Sequence, residues 1–199
     1  MISFLFCIFA KLSYKLYFYP NNMSFESLSE SVFGTESKSD RYRTILKALP
    51  DFTAPGVSDV STLNNVLALV HQSMSNLWTG FYFVDDPSKE EPGLFLGFFQ
   101  GAPACDLIAY GKGVCGTALK TGEPQIVADV DLFPGHIACS SASKSEIVVP
   151  LKDKEGRVYG VLDLDSAEPE HYDEEDLKFL EEVLSFLSTS LRKVYLSII

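Results

Sequence analysis

The chain has 199 residues, 46% apolar and 22% charged, with a formal net charge of −11. That length suffices for one hydrophobic core with extensions, and 15 Phe and 9 Tyr argue against long disorder. The negative balance argues against binding that works by neutralising nucleic-acid phosphates, and against docking on an anionic membrane.

Residues 1–22 stand apart from the rest. The apolar run 2–10 is too short to span a bilayer, and Lys11 and Lys15 interrupt the stretch after it. No basic residue precedes the run and no A-x-A site comes after it, so a secretory signal fits poorly. The segment reads as a targeting leader or interfacial anchor, or as lying upstream of a start at Met23. Residues 23–41 read as an N-terminal arm, and 42–195 as a single domain.

Tyr42, Ile45, Leu46 and Leu49 recur at helical spacing before Pro50. A second helix is expected over 58–75, with Val60, Leu63, Val66, Leu67, Val70 and Met74 on its apolar face. The period then changes to that of strands at 78–84 and 94–100, joined by a polar turn. A coil with Pro103 and Cys105 comes next. The run 111–122, GKGVCGTALKTG, reads as glycines leading into a short helix that ends at Gly122. Its Gly-Lys-Gly does not match a phosphate-binding loop and reads as a turn.

A short strand at 125–128, a long loop at 129–145 and a hairpin of strands 146–152 and 157–165 complete the sheet. A last helix starts at Asp173, an N-cap with acidic residues after it. Leu177, Leu180, Leu184, Leu187 and Leu191 form a stripe along it, and Arg192 and Lys193 suit its end. That stripe either covers the sheet or mediates a homodimer. The whole is an α+β layout, a central antiparallel β-sheet of about six strands with flanking helices.

Several residues can carry chemistry. On the last strand, Asp163 and Asp165 are two apart and share a face, while Gly160, Leu162 and Leu164 face the other way. Glu146 opens the neighbouring strand and falls near the same end. Such carboxyls raise one another's proton affinity, which makes a candidate general acid; acids facing solvent would have the same pattern. Three clustered acids also suit a metal or an amino group, although no Asp-rich cation loop is present. Trp78 and Tyr82 share a face around Gly80 and could wall an apolar pocket or belong to the core.

Four cysteines are present, at 7, 105, 115 and 139, with no C-x-x-C pair and no zinc-type histidine spacing. In a reducing compartment such as the cytoplasm they are either inert filler or redox chemistry. Cys139, in a Ser/Ala loop after His136, has the surroundings of a reactive thiolate. Cys105 lies in a coil loose enough for a resolving thiol, and Cys115 reads as a packed residue at a helix start.

The motifs WTGFY, GKGVCGTA, GHIAC, SEIVVP and GVLDLDS appear in that order. Over roughly 42–191 the chain resembles the free methionine-(R)-sulfoxide reductase family, small enzymes of GAF-like fold. The resemblance implies that Cys139 is the nucleophile and Cys105 the resolving cysteine, with Cys115 an alternative resolving thiol or a bystander. Trp78 and Tyr82 would surround the substrate methyl group. Glu146, Asp163 and Asp165 would hold the sulfoxide oxygen and the ammonium, with Asp165, helped by Glu146, donating the proton. A thioredoxin-type protein would reset the disulfide, and no metal or cofactor is implied. A non-catalytic GAF small-ligand sensor and a thiol redox sensor are the alternatives.

Overall fold

The computed structural model describes residue 32 and residues 37–53, 56–135 and 141–199. The expected leader, most of the arm, His136 and Cys139 lie outside the described residues. The chain divides into two compact units between Gly56 and Val57. The first contains helix α1, Lys38–Ala48, followed by a 3-10 turn at Leu49–Thr53. Ser37 caps α1 by accepting from the Asp40 N–H, and its buried side chains Tyr42, Ile45 and Ala48 follow the helical spacing.

The second unit opens with α2, Asp59–Ser73, whose cap Ser58 accepts from the Ser61 N–H. Leu63, Val66, Leu67, Val70 and Met74 are buried as expected, but Val60 is 46% exposed. It sits in the first turn, and the packed stripe begins one turn later. Strands β1 (Trp78–Val84), β2 (Leu94–Gln100), β3 (Leu107–Ile108), β4 (Gln125–Val127), β5 (Ser145–Lys152) and β6 (Val158–Ser166) form one antiparallel sheet. Its order is β3-β2-β1-β6-β5-β4. The α+β layout with six strands is therefore the observed one. Helix α3, Gly113–Thr121, stands between β3 and β4, and α4, Glu174–Ile198, closes the chain.

The two faces of the sheet differ. Thr79, Phe81 and Phe83 face α2 and α4: the His71 ring lies 3.2 Å from the Thr79 hydroxyl, and the Phe83 ring stacks on Tyr195 of α4 at 5.9 Å. Residues Trp78, Gly80 and Tyr82 alternate to the opposite face, where α3 packs against β5 and β6. Gly122 ends α3 in the left-handed conformation, φ +68°, which a side chain would resist.

Two expectations need correction. The coil after Pro103 contains β3, a strand of two residues, too short to show any period; it forms because Leu107 and Ile108 pair with Phe95 and Leu94 at the edge of β2. Helix α4 does not end at Arg192 and Lys193 but runs on to Ile198. The cause is packing: Val194 and Tyr195 are buried, and the Arg192 guanidinium lies over the Tyr159 and Tyr195 rings at 5.2 and 5.6 Å. The start of α4 is as expected, with Asp173 capping and Asp176 completing a reciprocal box. Leu180, Leu184, Leu187 and Leu191 of the leucine stripe are buried within the chain itself. Among the described residues no helix is long and apolar enough to cross a membrane.

The hydroxyl of Tyr195 is buried without a hydrogen-bond partner. A desolvated, unpaired hydroxyl costs stability, so Tyr195→Phe should stabilise the fold by about 1 kcal/mol. The urea midpoint checks this; a lower midpoint than wild type would show that the hydroxyl is satisfied.

Candidate active site

The site is built from cross-strand rows. In antiparallel pairing, residues directly opposite one another place their side chains on the same face. Glu146 of β5 is opposite Asp165 of β6, and Asp165 is opposite Trp78 of β1. One row along, Val148 is opposite Asp163, and Asp163 is opposite Gly80. The next row brings Pro150, Val161 and Tyr82 into line. Glu146, Asp163, Asp165, Trp78 and Tyr82 therefore share the face that α3 covers. Together they line a cavity of about 100 Å³, closed on the far side by Cys105 and the first turn of α3.

Glu146 and Asp163 are buried and Asp165 is half-buried at its rim. Burial is the main cause that pushes the Glu146 carboxyl well above its ordinary range, followed by the charges of Asp163 and Asp165. Burial likewise raises Asp163, with Asp165 next in effect. One oxygen of Asp163, Oδ1, is buried with no hydrogen-bond partner. Asp165 differs, because Ser143 donates its hydroxyl hydrogen to Asp165 Oδ1. The floor thus pairs two carboxyls whose hold on a proton is strengthened by desolvation with a third that accepts a hydrogen bond from a hydroxyl.

The aromatic wall is tied to the loop before β3. The Trp78 indole Nε1 donates to the Ala102 carbonyl at 3.0 Å, and the Tyr82 hydroxyl donates to the Cys105 carbonyl at 3.1 Å. Trp78 also stacks on Phe99 at 5.7 Å and lies 5.8 Å from the Tyr82 ring. Its ring covers Gly80: a Cβ there would come within 2.2 Å of the indole. Only glycine leaves room for the wall to lie flat on the strand.

Cys105, half-buried beside the cavity, is in a disulfide, whereas Cys115 is free and buried. Cys115 is more than filler at a helix start: its Sγ is 3.9 Å from Glu146 Oε1, and burial raises its thiol well above the ordinary value. Two participants were missed from the sequence. Ser143 carried a signal, a hydroxyl three residues before Glu146 in SASKSE. Lys112, the lone cation lining the cavity among the described residues, had none beyond the glycines around it.

With six antiparallel strands, a cavity between sheet and α3, and this acid cluster in place, comparison with known proteins identifies the class. The GAF domain family matches residues 60–192, and the chain belongs to that family. Within it, the chain is homologous to free methionine-R-sulfoxide reductases. It is 43% identical over 145 residues to the one from Saccharomyces cerevisiae, covering 68% of this chain and 79% of that protein. Identity to the Escherichia coli one is 36% over 168 residues, covering 81% and 98%. A solved Neisseria meningitidis free methionine-R-sulfoxide reductase, in complex with its substrate, is 39% identical with a TM-score of 0.73, covering 82% and 96%.

Two measurements test this geometry. Trp78 is the sole tryptophan of the chain, so intrinsic fluorescence reports the wall directly. Gly80→Ala should expel the indole, shift its emission to longer wavelength and weaken ligand binding; an unchanged spectrum would mean that the ring does not rest on Gly80. The raised Glu146 and Asp163 bind more protons folded than unfolded. Their linkage therefore destabilises the fold as pH rises above the ordinary carboxyl values of 4.5 and 3.8 towards their raised folded values. Glu146→Gln should lose part of that decline, gaining stability relative to wild type in alkaline buffer more than in acid. Parallel pH profiles of the melting midpoint would show that Glu146 is not raised.

Proposed function

We propose that the chain reduces free L-methionine (R)-S-oxide to L-methionine by thiol chemistry. The observation that carries this reading is the cavity floor, where burial and neighbouring carboxyl charges raise the proton affinity of Glu146 and Asp163 beside an aromatic wall and a disulfide-bonded Cys105. A sulfoxide needs that arrangement, because its sulfur becomes a good electrophile only as its oxygen is protonated. Homology to reductases of this substrate supports the same reading.

The methyl group of the substrate packs against Trp78 and Tyr82. Its oxygen meets Glu146, which is the buried donor, with the rim carboxylate Asp165 raising Glu146 and balancing the charge. Asp163 and Asp165 together receive the ammonium, and Lys112 is the available cation for the carboxylate. Cys139 then attacks the sulfur as a thiolate. The S–O bond breaks as the protonated oxygen passes to the Cys139 sulfur and the transient bond between the two sulfur atoms cleaves, so methionine leaves and Cys139 is left as a sulfenic acid. Cys105 condenses with it, releasing water and forming the disulfide. That Cys105 already stands in a disulfide while Cys115 is free supports Cys105 as the resolving partner. An external dithiol protein of the thioredoxin kind restores both thiols and is itself oxidised. The cycle needs a reducing compartment, and the cytoplasm meets that need.

The test is to incubate the protein with dithiothreitol and each methionine sulfoxide epimer and to quantify methionine. Turnover is expected with the R form alone. Cys139→Ser should abolish it, and Cys105→Ser should stall with a thioredoxin-type reductant. Glu146→Gln should lower kcat/KM by roughly 10²–10⁴-fold. Disulfide formation driven by peroxide, with no methionine from either epimer, would instead make the protein a thiol redox sensor.

A further inference from the structure

The geometry points to a second ligand for the cavity floor: we propose that Cys115, Glu146 and Asp163 form a binding site for a thiophilic divalent cation of the Zn²⁺ type. One ligand atom from each residue lies within 4.8 Å of the other two, and all three side chains are buried. They come from three elements, α3, β5 and β6, so the cluster is a product of the fold and not of a local run. Cys115 Sγ and Glu146 Oε1 are 3.9 Å apart. In a tetrahedral zinc site, bonds of about 2.3 Å to sulfur and 2.0–2.2 Å to oxygen put sulfur and oxygen roughly 3.5–3.7 Å apart. Cys115 and Glu146 are nearly there, and the widest separation needs a contraction of about 1 Å.

An independent observation marks the position as one made for a partner. Asp163 Oδ1 is buried and has no hydrogen-bond partner, although Asp163 lines the cavity. A cation satisfies that oxygen, and the cavity leaves a fourth coordination position for water or another ligand. Charge points the same way. Three deprotonated ligands carry three negative charges in a buried place, and a divalent ion offsets two of them. The thiolate selects a borderline-soft ion over Mg²⁺ or Ca²⁺, which take oxygen ligands alone. The ligands must lose protons to bind, so affinity should rise with pH. Because Cys115 stays free while Cys105 is in a disulfide, the site exists in the oxidised protein.

Such an ion occupies the same carboxyls that the reductase reading assigns to the substrate. It should therefore compete with methionine sulfoxide. The competition rests on that reading; the binding does not.

The experiment is a Co²⁺ titration of the full chain, read by the near-ultraviolet charge-transfer band of a thiolate–cobalt bond and reversed by Zn²⁺. One equivalent is expected to bind. The band should survive in a Cys7→Ser, Cys105→Ser, Cys139→Ser triple variant, where Cys115 is the remaining cysteine, and should vanish in Cys115→Ser. Asp163→Asn, which keeps the thiol and the shape of the side chain, should weaken Co²⁺ by at least about 10-fold. No band in wild type, loss of the band in the triple variant, or full affinity in Asp163→Asn overturns the site. In the turnover assay Zn²⁺ should raise KM for the sulfoxide and leave kcat unchanged; a fall in kcat alone overturns the shared floor. Absence of methionine formation with both epimers removes the reductase reading, while the cobalt titration still decides the metal site.

Discussion

Glu146 and Asp165 stand directly opposite each other across β5 and β6, with Asp163 one row along on the same face. Like charges placed so close, under a helix that excludes water, cannot all ionise. The conflict raises the proton affinity of the two more deeply buried groups, Glu146 and Asp163, while Asp165 at the rim accepts a hydrogen bond from Ser143. The buried thiol of Cys115 and the unpartnered oxygen of Asp163 follow from the same crowding. The proposed acid chemistry at a sulfoxide and the proposed capture of a soft cation both draw on this one electrostatic conflict, distinguished by whether protons or a metal relieve it.

That conflict is tolerable because the other face of the sheet is conventional. Phe81, Phe83, Ile147, Leu162 and Leu164 are fully or almost fully buried there, against helices whose stripes are leucine and valine. Burial of such side chains stabilises by about 1.5–3 kcal/mol each, which offsets the cost of buried acids on the facing side. The strands can carry opposite chemistries because side chains alternate every residue. A one-residue slip of β6 against β1 would exchange Asp163 and Asp165 for Leu162 and Leu164, and lose core and cavity together.

Much of this was legible in the sequence where period and parity decide. The aromatic run of β1, the shared face of Asp163 and Asp165, and the approach of Glu146 to their end all follow from alternation. Depth did not follow. Parity treats the two aspartates alike, yet Asp163 is buried and Asp165 half-buried, because Asp165 is nearer the strand end. That difference in depth is why the proposed mechanism gives the donor's place to Glu146 and the rim to Asp165. The rotation of α3 was also hidden, since a nine-residue helix rich in small side chains fits several orientations, and only the packed fold turns Cys115 to the acids. Strand β3 and the last turn of α4 owe their existence to partners distant in the chain, Leu94 and Phe95 for one and Phe83 for the other.

The central pair of the sheet, β1 with β6, joins segments some eighty residues apart in the chain, with β5 outside β6. A growing polypeptide emerging from the ribosome has the Trp78 wall and both Cys105 and Cys115 long before it has the acids of β5 and β6. Non-local pairing of this kind forms late and slowly. Cys115 is then an accessible thiol during synthesis and a shielded one in the finished domain. The order of assembly thus leaves the Cys115 sulfur open to oxidants until the last strands of the sheet arrive and close over it.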